Sequence, residues 1–117
     1  MITCFLRYMI DPAKIADFEH YARTWIRLIE KYGGIHHGYF LPHSAPPSAA
    51  FSFGGIGSEG PANIAVALFS FPPIEAYEKY RAEVPSDPDC EEETRLFEQS
   101  RCFTSYERTF LRPVTRD

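Results

Sequence analysis

The sequence is short of positive charge, of paired cysteine and of long apolar runs, and each shortage removes a class of function. Twelve Lys and Arg stand against sixteen Asp and Glu, for a formal net charge of −4. The basic residues are scattered, and the one charge run is acidic, Glu91-Glu92-Glu93. Nucleic-acid binders carry a basic patch or stripe, and RNA-binding ferredoxin-like modules carry a basic-aromatic signature; neither is present, so no nucleic acid or anionic membrane is expected as a partner. No apolar run is long enough to span a bilayer. The first residues, MITCFLRYMID, lack a basic leader and a small-residue cleavage site, so the expected compartment is the cytoplasm. Cys4, Cys90 and Cys102 are odd in number and widely spaced, which argues against a disulfide framework or zinc knuckle; they read as small packed hydrophobes. The glycine-rich segment GGIGSEG has neither dinucleotide nor P-loop spacing. No cofactor and no metal site is expected.

What the sequence has in quantity is aromatic residues: ten Phe, seven Tyr and one Trp, 15% of the chain. Such side chains supply a core, an interface or a flat-ligand pocket. The length of 117 residues suits one domain, expected to cover 1–117.

The order of elements reads from periodicity. Ile2 to Ile10 alternates, with Ile2, Cys4, Leu6, Tyr8 and Ile10 as one apolar face. Asp11-Pro12 opens a helix as cap and first residue. Ile15, Phe18, Ala22, Trp25 and Ile29 form its stripe, Glu19 and Arg23 pair on its wet side, and Gly33-Gly34 stops it. A second strand runs from about Ile35 to Pro42. A long Pro/Gly/Ser/Ala-rich connection follows, in which Phe51, Ser52 and Phe53 have the pattern of a brief edge strand. Asn63 to Phe71 is apolar on both faces, as in a central strand. Helices are expected over Ile74 to Val84 and from Asp87-Pro88 to about Arg101, and a last strand from Cys102 to about Pro113. Right-handed crossovers turn this order into a split βαββαβ sheet, strand order 4-1-3-2, with helices on one face. The fold class expected is therefore α+β, ferredoxin-like. Phe5, Met9, half of strand three, Phe103 and Leu111 would lie on the bare face, a patch that a homodimer would cover. Arg7 and Glu107 should meet across neighbouring strands there.

The segments GYFLPHSAPPSAA, NIAVALFSFPPIEAYEKYR and RLFEQSRCFTSYERTFLRPV resemble the NIPSNAP family of the dimeric α/β barrel superfamily over most of the chain. The resemblance implies a ferredoxin-like fold and a dimer whose two sheets close into a barrel. The stretch between Pro42 and Asn63 is longer than expected of the family. Relatives in the wider superfamily include cofactor-free monooxygenases, haem-degrading enzymes and isomerases, so the fold does not select a reaction.

For a site, strand two offers two parity sets: Ile35, His37, Tyr39 and Leu41, or His36, Gly38 and Phe40. His37 with Tyr39 is the better-equipped polar pair, so that pair is expected in an apolar pocket against the first helix. Trp25 and Phe18 would form its wall, and residues 44–62 would fold over the mouth; Asn63 would either orient a ligand oxygen or serve as a loop-to-strand turn residue. Adjacent His36 and His37 point to opposite faces and cannot chelate one ion. The expected function is binding of a small apolar or aromatic molecule, with a cofactor-free monooxygenase or isomerase as the catalytic reading. A non-catalytic ligand-binding or protein-interaction module is the alternative.

Overall fold

In the computed structural model, which describes all 117 residues, the alternation of the first segment becomes strand β1, Ile2–Ile10. Its even residues enter the core: Cys4, Leu6, Tyr8 and Ile10 are all buried. Asp11 caps the chain turn that follows, accepting from the Ala13 N–H at 2.9 Å, and Pro12 begins a short 3-10 turn ahead of α1, Ile15–Lys31. Gly33, at φ +90°, ends α1 in a backbone region that other residues rarely adopt, and the Gly34 N–H returns to the Ile29 carbonyl at 2.9 Å.

The remaining elements are β2 (Ile35–Phe40), β3 (Ile64–Phe71), α2 (Ile74–Glu83), α3 (Pro88–Ser100) and β4 (Phe103–Leu111). The sheet order is β2-β3-β1-β4, with every neighbouring pair antiparallel. This is the expected α+β ferredoxin-like topology with one extra helix. The helices pack on the even face of β1, where Phe18, Leu28 and Ile29 of α1, Tyr80 of α2 and Cys90 of α3 join one core. Asp87 fixes the start of α3. Its side chain accepts from the Asp89 N–H at 2.9 Å, the Tyr32 hydroxyl at 2.9 Å and Lys31 Nζ at 2.6 Å.

The molecule measures 47 × 43 × 18 Å along its principal axes. A thickness of 18 Å holds one sheet layer and one helix layer, and nothing third. The odd face of β1 therefore has no cover within the chain. Arg7 and Glu107 meet on that face at 3.1 Å, as the register Arg7↔Glu107 requires.

Two β-bulges revise the face assignments made from simple alternation. The β1–β4 register slips between Met9 and Ile10, so that Met9 opposes Ser105 but Ile10 opposes Phe103. Phe103 is thereby turned to the helix side, where it is 9% exposed and lies 4.3 Å from the Phe97 ring. It does not belong to the bare face. The β2–β3 register slips between His36 and Gly38. Gly38 sits there at φ +119°, a conformation that suits glycine at a bulge. An extra residue inverts the parity of everything beyond it. Residues 51–53 form no strand; with neighbouring backbone to pair with absent, Phe51 and Phe53 stay exposed.

Candidate functional site

A cavity of about 170 Å³ opens between the helix face of the sheet, α1 and α2. The even residues Leu6 and Tyr8 of β1 form its floor, with Tyr39, Phe69, Tyr106 and Arg108 from the flanking strands. Tyr21, Trp25 and Ile29 come from one side of α1, spaced by four residues as helix geometry requires. Tyr77, Tyr80 and Arg81 come from α2. Six of the seven tyrosines line this one space.

The rings hold each other in place by edge-to-face and tilted contacts. Tyr8 is central, with ring centroids 5.2 Å from Phe18, 6.0 Å from Tyr21, 6.1 Å from Tyr39 and 5.9 Å from Tyr106. Burial raises the pKa of the Tyr8, Tyr21 and Tyr39 hydroxyls well above the ordinary phenol value, and raises Tyr77 and Tyr80 as well. These hydroxyls stay protonated and can donate across the neutral range. The cavity is thus apolar in its walls and studded with protonated phenols, with two guanidinium groups as its only charges.

The structure places the sequence-derived candidates unequally. Trp25 and Tyr39 line the cavity. Phe18 stands behind it, fully buried at 0% exposure, where it supports Tyr8 and Tyr39. His37 does not join Tyr39. The bulge puts it on the open face, where Nε2 lies 2.8 Å from Ser70 Oγ, which in turn meets Thr3 Oγ1 at 2.8 Å. His36 takes its place, stacked on Tyr39 with ring centroids 5.1 Å apart. Its Nδ1 accepts from the Gly38 N–H at 2.9 Å, which puts the proton of the neutral ring on Nε2, a buried atom without a partner. Burial, with a smaller contribution from His37, pushes the His36 pKa down to about 4. Asn63 is a strand-entry residue, reaching the Ile10 carbonyl with its amide at 3.4 Å. Residues 44–62 do not close this cavity. They flank a separate shallow groove at the β3 end of the sheet, against Pro42 and Ile64. The reason is topological: the loop leaves β2 at one end of the sheet, while the cavity lies under α1 and α2.

Tyr21, Tyr77, Tyr80, Arg81, Tyr106 and Arg108 were missing from the sequence-derived set. Tyr21 lies four residues before Trp25, and Tyr77 and Arg81 are four apart on α2, so helical spacing carried a signal. Arg108 was legible only through the β1–β4 register, which sets it opposite Leu6.

No helix is long and apolar enough to cross a membrane, and no three His, Cys, Asp or Glu side chains are grouped to hold a metal ion. Comparison with curated proteins finds no match. Among solved structures, a NIPSNAP family protein of unknown function from Agrobacterium tumefaciens is 16% identical, with a TM-score of 0.70 over 100% of this chain and 91% of that one. An uncharacterised NIPSNAP-like domain protein from Burkholderia xenovorans is 20% identical, with a TM-score of 0.69 over 99% of this chain and 87% of that one. A candidate antibiotic biosynthesis monooxygenase from Nitrosomonas europaea shares the fold at 7% identity, with a TM-score of 0.62 over 98% of this chain and 100% of that one. The NIPSNAP family model matches residues 4–116, and with that match across nearly its whole length the chain belongs to the NIPSNAP family.

Proposed function

We propose that the protein is a homodimer, joined through the open face of its sheet, that binds a small aromatic or apolar molecule in the tyrosine-lined cavity of each subunit. The observation that carries the reading is the cavity itself, where ten of twelve lining residues are hydrophobic or aromatic and the polar groups converge on one space. The dimer reading rests on the 18 Å thickness and on the apolar side chains of the open face, with Ile35, Phe40 and Leu111 46%, 55% and 44% exposed.

A cofactor-free monooxygenase or isomerase remains the catalytic form of this reading, supported by the fold shared with the Nitrosomonas europaea protein. Binding without chemistry has the better support within one chain. Acid–base catalysis calls for a group that titrates near the working pH, whereas burial raises the pKa of Tyr8, Tyr21, Tyr39, Tyr77 and Tyr80 in the cavity. The test is extraction of small molecules from the natively purified protein, followed by mass spectrometry, in wild type and in Leu6→Phe, which fills the cavity floor. A small aromatic species present in wild type and lost in the variant is expected. Equal retention by both would place the bound molecule elsewhere.

A further inference from the structure

The cavity has an electrostatic character that its aromatic walls do not require. Arg81 of α2 and Arg108 of β4 both line it. The ion pairs of the chain join Arg7 to Glu107, Lys14 to Asp11, Arg23 to Glu19, Lys31 to Asp87 and Arg95 to Glu92. Arg81 and Arg108 have no carboxylate partner in that set. No Asp or Glu lines the cavity either. In a chain of net charge −4, two arginines thus border a largely aromatic cavity that holds no carboxylate.

The two guanidiniums act on the same space from opposite walls. Both oppose the rise in pKa of the Tyr77 hydroxyl, Arg81 more strongly than Arg108, and Arg81 does the same for Tyr80. The Arg108 guanidinium carbon lies 5.9 Å from the Tyr106 ring centre, within cation–π reach. A guanidinium is a planar fork suited to bidentate recognition of oxyanions. The surrounding phenols add neutral donors that can share the negative charge.

From this arrangement we infer that the ligand is an anionic planar aromatic molecule, a carboxylate or an enolate, whose ring lies among Tyr8, Tyr21 and Trp25 and whose oxygens face Arg81 and Arg108. This rests on the proposal that the cavity is the binding site, and adds the charge of what enters it.

A matched pair of probes separates the two claims: 4-hydroxybenzoate and 4-hydroxybenzamide share ring and hydroxyl and differ in charge. Binding is read by calorimetry, and by the fluorescence of Trp25, which reports from the cavity wall as the sole tryptophan. The acid should bind at least tenfold more tightly than the amide. Arg81→Gln and Arg108→Gln should each reduce that preference severalfold, and Arg7→Gln, on the open face, should leave it intact. Thermal melts establish that each variant is folded; should either cavity variant fail to fold, the probe pair on wild type still decides. Equal binding of acid and amide overturns the inference and leaves the cavity as a neutral aromatic site. Absence of binding by both at millimolar concentration overturns the inference together with the cavity reading.

Discussion

Neighbouring residues of β1 live in two different environments. Leu6 is 7% exposed and looks into the helix layer, among rings from α1, α2 and three strands. Phe5 and Arg7 look the other way, onto a face with no second layer. The same backbone thus serves an inner face that holds a core and a cavity, and an outer face that the chain itself leaves uncovered. Away from the cavity, the inner face should be intolerant of charge because nothing there can solvate it; the outer face should tolerate it in the isolated subunit and fail only in assembly.

The sharpest way to break this comparison is to place one charge on each side. Ile10→Asp, at a buried β1 position outside the cavity, should prevent folding, read as loss of a cooperative melt. Phe5→Asp should give a folded protein that no longer dimerises. If both unfold, or both stay dimeric, the division between faces is wrong. Next in size is Phe18→Ala, which removes the ring under Tyr8 and Tyr39 and should cost about 3–5 kcal/mol in denaturant unfolding. A cost below about 1 kcal/mol would mean the aromatic cluster does not depend on that ring.

Two smaller effects concern charge within the inner layer and separate by pH. The hydrogen bond from Lys31, joined by that from Tyr32, holds the Asp87 carboxyl below its ordinary pKa of 3.8. Its contribution is complete above that value and is lost as pH falls through the lower folded value. Asp87→Ala should lower stability by about 1–2 kcal/mol at neutral pH through loss of the α3 cap, with the difference from wild type shrinking in strong acid. His36 acts in a higher window. Its folded pKa of about 4 lies under the ordinary 6.5, so the neutral ring favours the fold fully above 6.5, and that preference is lost as pH falls from 6.5 toward 4. The His36 ring resonances should therefore remain untitrated by NMR at pH 5.5; a midpoint near 6.5 would show that the ring is not buried against Tyr39. The smallest effect is expected from the loop. Replacing residues 44–61 by a short Gly-Ser linker should leave the melting temperature within a few degrees and leave binding of 4-hydroxybenzoate unchanged. A tenfold loss of binding would restore the loop as part of the site.

The limits of sequence reasoning fall at the same places. Element order, sheet order and the Arg7–Glu107 pair were readable because strand alternation and helix spacing are local patterns, and the crossover rule turns them into one topology. The two wrong face assignments, Phe103 on the outside and His37 beside Tyr39, arise from one cause. A bulge adds a single residue to one strand, and parity beyond it inverts. Gly38 was the visible hint at one of them; nothing in the Arg101–Ser105 segment announced the other. The cavity was half legible: Trp25 and Tyr39 were found, but Arg81 and Arg108 are brought together only by the packing of α2 over the sheet, which no local spacing encodes.

The claim beneath all of this is that the outer face is finished by a second copy of the chain. The mass of the wild-type protein in solution, measured by light scattering at micromolar concentration, tests it most directly. The account predicts twice the 13.4 kDa chain mass; a mass of 13.4 kDa at that concentration would contradict it.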